Sequence, residues 1–84
     1  MRFLPLTLVG LVLVVGCSEK KNEPVPLEKV PDNVMKVAKE KLTDVTFERA
    51  MRKPNGEYEV IGKNKQGKVR EIDITPNGEV TEIE

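Results

Sequence analysis

Three regimes of apolar and polar positions follow one another along the 84 residues. Phe3 to Val15 is a 13-residue apolar run, with Pro5 near its start. Ser18 to Lys29, "SEKKNEPVPLEK", is charged and has neither a helical nor a strand period. Pro24 and Pro26 favour an extended, semi-rigid spacer there, and its 12 residues span at most about 40 Å at ~3.3 Å each. From Val30 the pattern turns helical. Val34, Val37, Ala38 and Leu42 recur on one stripe. Pro31 suits a first helical turn and Asp32 a cap. Lys36 and Glu40 pair at i,i+4, and Lys39 and Lys41 lie where the helix dipole favours cations. So short a helix is not stable alone and must dock its stripe on something.

Beyond it the period shortens to two. Gly56, Gly67 and Gly78 are spaced 11 apart, closing the triplets Pro54-Asn55-Gly56, Lys65-Gln66-Gly67 and Pro76-Asn77-Gly78. Each suits a three-residue hairpin loop with a left-handed glycine in third place. Four strands are expected, near 45–53, 57–64, 68–75 and 79–83. Pairing Asn64 with Lys68 faces Val60 to Ile72 and Tyr58 to Ile74, and pairing Thr75 with Glu79 adds Val80 to that face. The first hairpin fits less simply. The same loop sets Ala50 opposite Val60 but turns Val45, Phe47 and Met51 away from the core. A bulge near Glu48-Arg49 restores Val45 and Phe47. A two-residue Asn55-Gly56 turn would instead face Met51 to Val60, at the loss of a ladder bond at Pro54.

The expected fold is therefore α+β: one N-terminal helix packed on a four-stranded antiparallel β-meander, within residues 30–84. Such a core supports only a few kcal/mol of stability.

Composition narrows the chemistry. Basic and acidic residues balance at 14 each, and loss of residues 1–16 removes only Arg2, leaving 13 against 14. The basic footprint of a nucleic-acid binder is missing. There is no histidine, a single cysteine and no glycine-rich loop opening a helix, so no enzyme is expected. No cofactor and no metal site is expected either. Glu59 and Asp73 would be neighbours on the outer sheet face, but the loops lack the ligand density calcium requires. The carboxylates read as a solvated face.

The lone cysteine is the sharpest feature. Met1-Arg2 followed by the apolar run has the form of a signal peptide, too short to span a bilayer as a helix. Its end, Val14-Val15-Gly16-Cys17, resembles the bacterial lipoprotein lipobox. That resemblance implies cleavage after residue 16, acyl chains on Cys17, and a tether over residues 17–29. Two or more chains give stable attachment where one does not. Ser18, in place of the aspartate that retains lipoproteins at the inner membrane, implies the periplasmic leaflet of the outer membrane. In a cell with one membrane the address becomes the outer face of the cytoplasmic membrane.

Residues Val30 to Glu84 also resemble a PepSY-like domain. The likeness rests on the helix "VPDNVMKVAKEKL", the strand at Tyr58-Glu59-Val60, the turn at Gly67, and Asp73 through Gly78. It implies a non-catalytic module that binds or inhibits an envelope protein such as a peptidase. A meander of strand repeats is a weaker alternative, and only the PepSY-like form docks the helix on Tyr58, Val60 and Ile72. On the expected register Arg49, Ile61, Glu71 and Ile83 form one row of the outer face, beside Met51 and Val69. Met51, Ile61, Val69 and Ile83 are the candidate partner surface. The alternative to a partner is a structural or stress-related lipoprotein with no single protein target.

Overall fold

The structure, a computed structural model, describes residues 21–84. It holds a single five-stranded antiparallel sheet in the order β1 (Glu23–Val25), β2 (Thr46–Arg52), β3 (Tyr58–Lys63), β4 (Val69–Ile74), β5 (Val80–Ile83). A 3-10 turn over Leu27–Lys29 and the helix α1 (Asp32–Lys41) lie between β1 and β2. The expectation of a four-stranded sheet behind an N-terminal helix is thus corrected. A strand precedes the helix, and it comes from the stretch read as spacer.

β1 pairs Glu23, Pro24 and Val25 with Arg52, Met51 and Ala50. Proline is tolerated in an edge strand, where its missing N–H need not break a ladder. Val25 and Leu27 pack against the core from this side, so the pairing is reinforced by burial that local propensity does not reveal.

α1 buries the expected stripe. Val34, Ala38 and Leu42 are buried with Val30, and they meet Ala50, Val60, Ile72 and Ile74 on the sheet. Every member of this core is aliphatic. Pro31, not Asp32, occupies the position before the first helical turn, and no side chain caps it. The Pro31 carbonyl instead accepts the amides of Val34 and Met35 at 3.0 and 3.1 Å. Asn33 Nδ2 donates to the Pro76 carbonyl at 2.9 Å, fastening the helix start to the β4–β5 loop.

The three loops share one geometry. Gly56, Gly67 and Gly78 have φ of +92°, +79° and +93°. In each loop the strand-ending pair exchanges a backbone bond, as from Asn64 N to Lys68 O at 2.9 Å. The β3–β4 register sets Val60 opposite Ile72 and Tyr58 opposite Ile74. The β2–β3 register shifts between Phe47 and Arg49, so Glu48 is the bulged residue and Ala50 faces Val60. That is the bulge Phe47 requires to reach the core.

The last pairing differs from expectation. Ile74 faces Val80, but Asp73 faces Glu82 and Ile72 faces Ile83, leaving Thr81 as a second bulge. The row of Arg49, Ile61, Glu71 and Ile83 is therefore broken at its final member. Glu84 exchanges backbone bonds with Glu71 at 2.8 Å each way, and Ile83 moves to the helix side. The physical reason lies in the threonine. Its Oγ1 sits 3.1 Å from Glu57 Oε1 and 3.3 Å from the Asp73 carbonyl, which holds the extra residue in place.

Candidate functional site

The sheet face turned away from α1 carries three of the four nominated partner residues, and the strand registers order it into rows. Met51, Glu59, Asp73 and Glu82 form one row, and Arg49, Ile61 and Glu71 the next. Lys63 and Val69 follow at the β3–β4 end. Ile83 stands apart, 42% exposed on the opposite face at the sheet edge.

The centre of this face is less apolar in effect than its composition implies. Ile61 is only 4% exposed although no element covers it among the described residues. Its direct neighbours in the register are Arg49 and Glu71, whose long stems shield apolar surface while their charges stay wet. Met51 is half-buried, and Val69 at 50% is the most open apolar side chain of the face.

A charged lattice surrounds this centre. Lys53 Nζ lies 2.8 Å from Asp73 Oδ2 and 3.8 Å from Glu57 Oε1, bridging the first hairpin loop to β4. Asp73 is 7% exposed, so Lys53 supplies the counter-charge its burial demands. The hydrogen bond to Asp73 holds the lysine above its ordinary range. Glu59, directly opposite Asp73, is pushed up to about 7. The largest cause is a hydrogen bond with Glu71, followed by burial and the negative charges of Glu71 and Asp73, while Lys53 acts against them. Glu82 is raised by a hydrogen bond with Glu84 and by its charge.

Glu59 and Asp73 are the neighbours the sequence indicated, but Asp73 is committed to Lys53. Among the described residues no group of three or more acidic, histidine or cysteine side chains is arranged to hold a metal ion. One groove among the described residues lies elsewhere, about 800 Å³ at the α1–β2 end, where Leu27, Met35, Val45 and Phe47 line it together with Glu28, Asp32 and Lys39. Its lining mixes apolar and charged side chains, and the raised carboxyl of Glu59 is not among its walls.

No family model, curated protein or solved structure matches the chain.

Cys17, the nominated lipid attachment, lies outside the described residues. The Lys53–Asp73 bridge went unread because it joins residues on non-adjacent strands. Gly62 also went unread. A Cβ there would meet the Thr46 carbonyl oxygen and stand 2.7 Å from Phe47 Cα. A glycine inside the strand pattern "YEVIGK" is the signal for such close backbone approach.

Proposed function

We propose that this protein is an exported lipoprotein, anchored through acyl chains on Cys17, whose folded unit is a non-catalytic PepSY-like module that binds or restrains another envelope protein such as a peptidase. The observation that carries the anchor is Val14-Val15-Gly16-Cys17 at the end of a 13-residue apolar run. Gly16 is the small residue that the lipobox resemblance places directly before the acylated cysteine. Acylation also accounts for an unpaired cysteine in an exported chain, where a free thiol is a liability.

Docking of α1 on Val60 and Ile72 supports the PepSY-like reading over a plain strand-repeat meander. The module's partner surface is the outer sheet face, with Met51 and Val69 as its accessible apolar points. Ile61 supports that face from beneath. The outer membrane's periplasmic leaflet is the proposed address, on the strength of Ser18.

Two measurements test the reading. Cells fed labelled palmitate should incorporate it into the wild-type chain and not into Cys17→Ser, with the variant leaving the membrane fraction. The lipidated protein, cross-linked in its own envelope, should yield a discrete partner that is lost with Met51→Asp/Val69→Asp. Label in Cys17→Ser would refute the anchor. A partner unaffected by the double variant would refute the face, and no partner at all would favour the structural lipoprotein.

A further inference from the structure

The β3–β4 hairpin concentrates positive charge at one end of the sheet. Between Ile61 and Arg70 the chain carries Lys63, Lys65, Lys68 and Arg70 and no acid. Arg70 is half-buried and donates its Nε to the Glu84 carbonyl at 3.2 Å. The three lysines are exposed around the β3–β4 loop, and none makes an ion pair among the described residues, where Lys53 alone does so. Thr46 pairs with Lys63, so the start of β2 and the C-terminal end of α1, with exposed Lys41, lie at this same end. Asp44 is the acid the connection between them contributes. Val69, 50% exposed, lies opposite Lys63 in the same cluster. The loop itself is firmly built. Asn64 Oδ1 accepts the amides of Gln66 and Lys68 at 3.0 and 2.9 Å, which holds the flanking lysines in fixed relation.

We propose that this hairpin end is a second membrane contact, in which Lys63, Lys65 and Lys68, assisted by Lys41, dock the domain on anionic lipid headgroups. The proposal rests on the lipid anchor at Cys17. Given that anchor, the anionic surface at the highest effective concentration is the bilayer itself. Lys63, Lys65 and Lys68 flank one tight loop closed by the Asn64–Lys68 backbone bond, so they meet a charged surface together. Reach permits the contact. β1 begins opposite Arg52, at the far end of the sheet from Lys63, and β3 between those ends covers about 20 Å. The six residue steps from Cys17 to Glu23 extend to about the same 20 Å. The sheet can therefore lie along the bilayer with anchor and hairpin both in contact.

Acylation of Cys17 makes a clean test, because an introduced cysteine is then the sole free thiol. The acylated protein carrying Gln66→Cys, labelled with a fluorophore, would be placed in vesicles with a headgroup-level quencher. Asn55→Cys, at the opposite end, serves as reference. Quenching at Gln66→Cys should rise in vesicles containing about 30% anionic lipid over purely zwitterionic ones, and fall again at high salt. Lys63→Glu/Lys65→Glu/Lys68→Glu should lower the docked-to-free ratio by about a hundredfold, about fivefold or more per lysine. The milder Lys→Gln triple variant should reproduce the loss without charge reversal.

Equal quenching in both lipids, or quenching indifferent to both triple variants, overturns the proposal. So does a label that stays in water on anionic vesicles while the hairpin binds soluble polyglutamate, since the occupant is then an acidic protein. A failure of the anchor is separate and visible: the protein would not float with any vesicle and would take up label at two thiols.

Discussion

Glu59 makes the stability of this domain depend on pH in the direction opposite to that of most surface carboxylates. Its carboxyl is held at about 7, against 4.5 in an unperturbed chain, chiefly by the hydrogen bond with Glu71. The folded state thus keeps a proton that the unfolded state has released across that interval. Stability from this group is fully present below about pH 4.5 and is lost as pH rises through 7. A shift of that size corresponds to about 3 kcal/mol if nothing screens it. Glu59 is only partly buried on an open sheet face, and screening reduces the effect to about 1 kcal/mol. Urea unfolding of a domain this small has a slope of ~1 kcal/mol per molar. The midpoint should therefore fall by about 1 M between pH 5 and pH 8. Glu59→Gln keeps the shape, removes the titration and leaves Glu71 a donor to bond. Its midpoint should be nearly flat over the same range. A Glu59→Gln protein that loses as much stability as the wild type would refute the assignment and place the pH dependence elsewhere in the acidic lattice.

Three further outcomes follow from the packing. Gly62→Ala should lower stability by about 3 kcal/mol, seen as an early urea midpoint, because the new methyl meets the backbone of Thr46 and Phe47 and neither can rotate away. Ile72→Ala empties the centre of the aliphatic core and should cost about 3 kcal/mol by the same measurement. Asp73→Ala removes the partner of a half-exposed Lys53 and should cost about 1 kcal/mol, with a reduced slope against salt.

Legibility in the sequence followed the locality of the forces. The glycine turns were readable because a left-handed third position is decided within the loop itself. With two loops fixed, counting back from them placed Val60 on Ile72. Val45 and Phe47 then pointed to a bulge near Glu48-Arg49, since the simple register left both on the wet face, and the shift falls between Phe47 and Arg49. What stayed hidden depended on distant partners. Pro24 and Pro26 suppress every local sign of a strand, and only the pairing of Glu23–Val25 with β2 makes one. The Thr81 bulge rests on a hydroxyl held between Glu57 and the Asp73 backbone, a contact with no periodic trace. On the outer face the rows through Met51, Ile61 and Val69 were correctly placed, but the shielding of Ile61 was not visible. Alternation tells which side a residue faces and says nothing of how long neighbours lie over it.

The position of β1 has a mechanical consequence. Tension on the stretch that leads from Cys17 arrives first at Glu23, the opening residue of a three-residue strand. If a partner grips the sheet while the other end is held in a bilayer, the pulling force runs through β1 alone. Three residue pairs would part in succession, followed by withdrawal of Val25 and Leu27 from the core edge. β2 to β5 and α1 would feel little load until that happened. In a chain held from its N-terminal side, β1 would thus be the sacrificial link of the domain, yielding length under strain before the hydrophobic centre is disturbed.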